Sequence, residues 1–114
     1  MSLNISGLNV NNGLANVGYD EELYRLVLIA FVEEGKDTID LFLKSKDTDI
    51  SKFVVYAHAM KSACNNIGAL DLGERAKLLE FAGKDNDLDY VNSTINAFIS
   101  DLKILISELE EYLE

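Results

Sequence analysis

Between Leu88 and Tyr112 the apolar residues return every three or four positions: Leu88, Val91, Ile95, Phe98, Leu102, Leu105, Leu109 and Tyr112. A seam with that spacing, held for more than three heptads, is helical and must be covered by something. Ile99, Ile106 and Leu113 widen it beyond the narrow seam of a two-stranded coiled coil, as a helix packed on several neighbours requires. Packing within the chain is therefore expected, giving a monomer. Dimerisation through this helix is the alternative that the spacing leaves. The sequence contains no proline, so nothing interrupts long helices elsewhere.

Three more helical stretches precede this one. The first begins near Asp20, where Asp20, Glu21 and Glu22 suit a helix N-terminus. Leu23, Leu26, Val27, Ala30 and Phe31 are expected to face inward. Gly35 marks a break or bend, followed by a second piece with Ile39, Phe42 and Leu43 inward and Lys44 and Lys46 at its C-terminal end. Ser45 to Asp49 reads as a turn, and Thr48 or Asp49 can cap the next helix. That helix covers Phe53 to Gly68. Gly68 reads as its left-handed cap, or as a small residue permitting close approach. A third helix spans about Leu70 to Ala82 with Leu72, Ala76 and Leu79 inward, and Gly83 to Asp87 form the next turn. Gly73 weakens the interior of this helix and is accounted for only by tight packing, and Arg75 and Lys77 read as solvated charges. Residues 1–18, rich in Asn and Gly, are expected to be mostly loop with one helical turn around Val10 to Asn16. The expectation is one all-α domain over residues 1–114. It comprises an N-terminal segment (1–18) and an antiparallel four-helix bundle (19–114) whose first helix is bent near Gly35.

Twenty acidic residues against ten basic ones give a formal net charge of −10. That disfavours nucleic acid and anionic membrane surfaces as partners, since both are polyanions. The longest apolar run, Leu26 to Val32, is too short to span a bilayer, and no cationic leader pattern is visible. A single cysteine suits a reducing compartment, so a cytoplasmic location is expected. There is no G-x-x-x-x-G-K-[ST] motif and no glycine-rich nucleotide loop, so neither ATP binding nor kinase activity is expected.

The only histidine is His58, in FVVYAHAMKSACNNIG. At about 100° per residue, with His58 at zero, Phe53, Tyr56, Met60, Ala63, Cys64 and Ile67 fall between roughly 140° and 240°. His58 therefore points away from the stripe that must bury. Ser51, Val54, Val55, Lys61, Ser62 and Asn65 lie within about 60° of it. Cys64 and His58 face opposite sides, which argues against a metal site or a Cys/His dyad. Periodicity leaves open a solvated histidine with no role. An imidazole, with a reference pKa of about 6.5, is also a nucleophile near neutral pH. Lys61, one turn on, can offset the charge of a phosphoryl group placed on it, and Ser62 is small enough not to obstruct a partner.

The sequence A-H-A-M-K-S, with Gly68 ten residues after the histidine and Ala69 next, resembles the histidine-containing phosphotransfer (HPt) family, whose pattern is roughly A-H-x-L-K-G. Leu79-Glu80 is similar to a later L-E of that family. Gly13-Leu14, the run Tyr19 to Tyr24, and Phe31 resemble its N-terminal segment. Ser62 stands where the family most often has glycine, and Met60 stands for leucine. The resemblance implies a phosphorelay carrier of two-component signalling. His58 would accept a phosphoryl group from a receiver-domain aspartate and pass it to another receiver, with Lys61 stabilising the group. Val54, Val55, Ser62 and Asn65 would form the docking surface. For Val54 and Val55, packing under the N-terminal segment is an equal alternative. The implied partners are response-regulator receivers or a hybrid histidine kinase. No cofactor is expected in the chain itself, and Mg²⁺ would come from the receiver. The alternative is a bundle that binds a receiver or a partner helix without chemistry. Such a degenerate relative is expected to lose the histidine or the lysine, and this chain keeps both.

Overall fold

Four short polar side chains set where helices begin. Asn9 accepts from the backbone N–H of Asn12 at 2.9 Å, Asp20 from Leu23 at 3.0 Å and Asp87 from Tyr90 at 3.1 Å. Asp49 accepts from both Ser51 and Lys52, at 3.1 and 3.3 Å. Each satisfies a donor that the first helical turn leaves unpaired. In the computed structural model, which describes residues 1–114, the helices so started are α1 (Val10–Ala15), α2 (Glu21–Thr48), α3 (Ile50–Ile67) and α5 (Leu88–Leu113). The remaining helix, α4 (Leu70–Lys84), starts at Ala69 without a side-chain cap. There is no strand.

The four long helices meet in a closed order. α2 packs on α3, α3 on α4, α4 on α5 and α5 on α2, whereas α2 makes no close approach to α4, nor α3 to α5. One core runs through all of them, with Tyr24, Leu28, Phe42, Phe53, Phe98 and Leu102 among its fully buried side chains. The Phe42 and Phe53 rings stack at 4.7 Å between centroids, and Phe98 meets Phe42 edge-on. No helix is long and apolar enough to cross a membrane.

At about 1.5 Å per residue a helix of 28 residues is about 42 Å long, and the molecule measures 41 Å along its longest axis. α2 thus spans the whole length, and α5 nearly so, while α3 and α4 are shorter. The N-terminal segment packs against the turn between those two. Asn9 donates its backbone N–H to the Gly68 carbonyl at 2.9 Å, and the Asn16 amide donates to the carbonyls of Asn65 and Asn66. Leu3, Ile5 and Leu8 are buried in the common core. The helical turn expected around Val10 to Asn16 is α1. The preceding residues, expected to be plain loop, supply core side chains.

Several sequence-based expectations are corrected. α2 is unbroken through Gly35, so the break expected there does not occur. Gly35 is buried, and an added Cβ would lie 2.8 Å from Ile106 Cδ1, so its small size serves close packing of α2 on α5. Of the expected inward face of this helix, Phe31, Ile39 and Phe42 are buried and Val27 and Leu43 pack at the core's edge, but Leu23 and Leu26 are 44% and 54% exposed, while Tyr24 and Leu28 are fully buried. Tyr24 is drawn inward by a hydrogen bond from its hydroxyl to the Ile67 carbonyl, 2.7 Å long. Its phenol is pushed up to about 12 by burial and by the neighbouring Tyr112. Ser45 to Asp49 is not a turn. α2 runs to Thr48, and Asp49 alone joins it to α3, closing one helix and capping the next. Gly83 belongs to α4, not to the turn after it, and Arg75 is not simply solvated, since it pairs with Asp101 at 2.8 Å and lies over the Phe98 ring.

Candidate functional site

His58 lies at the middle of α3 and leaves 60% of its side chain accessible. The stripe expected opposite it does bury: Phe53, Met60, Cys64 and Ile67 are in the core, with Tyr56 and Ala63 packed at its edge. Burial pushes the Cys64 thiol up to about 12, so it stays protonated and inert. No three His, Cys, Asp or Glu side chains gather into a group able to hold a metal ion.

The face of α4 that meets α3 is built from small residues. Gly73, Ala76 and Gly83 are all buried. A Cβ at Gly73 would sit 1.9 Å from Asn65 Oδ1, and one at Gly83 would meet Val54 Cγ2 at 2.9 Å and the Phe53 ring at 3.0 Å. The two helices approach closely because those atoms are missing. At Gly73 this is the tight packing that the sequence reading names, here against Asn65.

Close approach brings Glu80, on the same face of α4, under His58. Only 4% of the Glu80 side chain is accessible. Its Oε2 and Oε1 lie 3.2 and 3.3 Å from His58 Nδ1. Oε1 also receives Lys61 Nζ at 3.1 Å, and Oε2 receives Lys84 Nζ at 3.0 Å. Burial by itself raises this carboxyl. Hydrogen bonds from Lys84, Lys61 and His58, and the charge of Lys61, outweigh that and hold it down at about 2. Glu80 is therefore ionised at neutral pH.

An ionised carboxylate only accepts hydrogen bonds, so Nδ1 of His58 carries the proton. The lone pair of the neutral ring is then on Nε2, which has no partner within the protein. What the geometry provides is an exposed imidazole in a fixed tautomer, with its free nitrogen available to an electrophile.

The other residues singled out in the sequence divide into two groups. Ser62 and Val55 are exposed beside His58, Val55 at 65%. Val54 is half-buried and packs against Gly83 of α4. Asn65 is exposed but lies along the Gly73 backbone. Gly68 takes φ +94° as the left-handed C-cap of α3, and a Cβ there would also collide with the Asn9 carbonyl. Both of its readings, cap and close approach, therefore apply. Lys61 is only 23% exposed and engaged with Glu80 in this arrangement. On the other flank a groove between α2 and α3 is lined by Glu34, Thr38, Ala59 and Ala63.

Sequence reasoning missed Glu80 and Lys84 as parts of the site. A signal was present: Glu80 lies about 40° from Ala76 around α4, on the inward side, and a carboxylate there needs basic partners. Lys77 and Lys84 both stand 5.7 Å above the exposed Phe81 ring, so the edge of the site is basic. No protein-family model, curated protein or solved structure matches this chain.

Proposed function

We propose that this protein is a phosphorelay carrier of the HPt type, an antiparallel four-helix bundle whose His58 takes a phosphoryl group from a receiver-domain aspartate and hands it to another receiver. The observation that carries the reading is the hydrogen bond from Nδ1 to Glu80, which leaves an exposed Nε2 unpaired. In the transfer, the Nε2 lone pair forms the N–P bond while the P–O bond to the aspartate breaks, and the carboxylate leaves with its electron pair. The ring keeps its Nδ1 proton and becomes cationic, and Glu80 offsets that charge. Lys61, which pairs with Glu80 one turn from His58, would turn toward the phosphoryl oxygens.

The receiver would bring its own acidic cluster and Mg²⁺, so this chain supplies only nucleophile and positioning. Val55 and Ser62, both exposed, are the foremost candidate docking residues, with Val54 and Asn65 beside them on this face, where each also packs against α4. The carrier would work as a monomer in the cytoplasm, between a histidine kinase and a response regulator.

Incubation with a phosphorylated receiver tests this directly. The protein should gain a phosphate that is labile to acid and stable to base, as a phosphoramidate is. ATP alone should add none, and His58→Gln should abolish labelling. A His58→Gln variant that still takes up phosphate would overturn the assignment.

A further inference from the structure

Glu80 is held by two lysines from two helices, and they are not equivalent. Lys61 comes from α3 and is 23% exposed, and Lys84 comes from the last turn of α4 and is 55% exposed. Lys61 lies one turn from His58 on its own helix. Lys84 sits four residues after Glu80, the favourable order for an acid–base pair on a helix.

Charge accounting separates their parts. Phosphorylation of Nε2 adds negative charge beside the ring, and Lys61 is the cation on the histidine's own helix that can meet it. Without Lys84, departure of Lys61 would leave a carboxylate with 4% of its side chain accessible with only His58 as a partner. Leaving a buried charge so poorly matched is costly, and the cost would hold Lys61 in place.

We infer that Lys84 is the positioning residue that keeps Glu80 paired, so that Lys61 is free to move onto the phosphoryl group of His58. This rests on the phosphocarrier reading and adds to it a residue outside the resemblance. Lys84 acts through Glu80 and does not itself touch the reacting atoms. The site then works as an exchange: two cations share one carboxylate at rest, and one of them is released when Nε2 is charged.

A small donor isolates this effect from receiver docking. With potassium phosphoramidate, the Nε2–P bond forms as the donor's P–N bond breaks, and the nitrogen, already protonated in the donor at neutral pH, leaves as ammonia with the electron pair of that bond. Lys84→Met should slow phosphoryl uptake by about fivefold, the size of a modest coupling between contacting charged groups. Lys84→Arg, which keeps charge and donors, should restore the rate. In a Glu80→Gln background the amide still accepts from Nδ1 but no longer holds Lys61, so Lys84→Met should change the rate less than twofold.

A purely structural lysine would cost the same in both backgrounds. Equal slowing with and without Glu80→Gln overturns the inference, and so does a wild-type rate for Lys84→Met. If the folded wild-type protein takes no phosphate from phosphoramidate or from a phosphorylated receiver, the phosphocarrier reading falls and this inference falls with it. Uptake by the wild type with no Lys84 effect overturns the inference alone.

Discussion

A carboxylate as buried as Glu80 stays ionised only through its basic partners, and that dependence has a measurable consequence. Its carboxyl is held at about 2, below the ordinary value of 4.5. A group depressed in the folded state contributes stability that is complete above its unfolded value and is lost as pH falls toward the folded one. Stability should therefore drop between about pH 4.5 and 2 partly through this one residue. Because Lys84 is 55% exposed and screened by water, a contribution on the order of 2 kcal/mol at pH 7 is expected, not the full value of the shift. Glu80→Gln should lose that amount at pH 7 and nothing near pH 2, measured by urea titration at both. Parallel stability curves for variant and wild type across this range would rule the account out. The outward direction of His58 was legible in the sequence because it depends only on angles within one helix. Its partner was not, because Glu80 reaches it across 22 residues of chain, and no periodicity encodes contact between helices.

For the helices themselves, the same division holds. α5 was legible because its seam is unbroken and nearly all of it buries. The first turns of α2 were not, since Leu23 and Leu26 outweigh Tyr24 on any apolar count, whereas Phe31, Ile39 and Phe42 further along bury as their spacing predicts. In those first turns the buried Tyr24 instead sends its hydroxyl to the carbonyl of Ile67, a residue 43 positions away. The glycines of the α3–α4 pair differ in what they would tolerate. Gly68→Ala places a side chain in the left-handed region, at about 1–2 kcal/mol, and drives it into the backbone of Asn9. It should lower the melting temperature by several degrees. At Gly73 the obstacle is the end of the exposed Asn65 side chain, which can move aside, and alanine recovers about 1 kcal/mol of helix propensity. Gly73→Ala should therefore cost much less than Gly68→Ala, and the reverse order of melting temperatures would refute this reading of the two contacts. On the exposed face of α3, Ser62→Tyr should block transfer from a receiver while circular dichroism stays unchanged, and Ser62→Gly should leave transfer nearly as it is. A tyrosine variant that transfers at the wild-type rate would remove this face from the docking model.

At the scale of the molecule, the N-terminal segment is structural. Leu3, Ile5 and Leu8 belong to the core, and the backbone of Asn9 closes on Gly68. Burying a large aliphatic side chain is worth roughly 1.5–3 kcal/mol, so removing residues 1–8 should lower stability by more than about 3 kcal/mol. A truncated protein with the wild-type urea midpoint would show that the segment contributes nothing. Charge is distributed just as unevenly as the core is connected. The chain carries a net −10, yet α3 contains no acidic residue, and Lys61, Lys77 and Lys84 stand at its border with α4. An acidic partner far from the surface feels the total and is repelled. One within the screening length, about 8 Å at physiological ionic strength, feels the basic border instead. Association with such a partner should therefore not vary with salt in one direction. It should quicken as salt first suppresses the long-range repulsion, pass through a maximum at intermediate ionic strength, and slow again once the short-range attraction is screened.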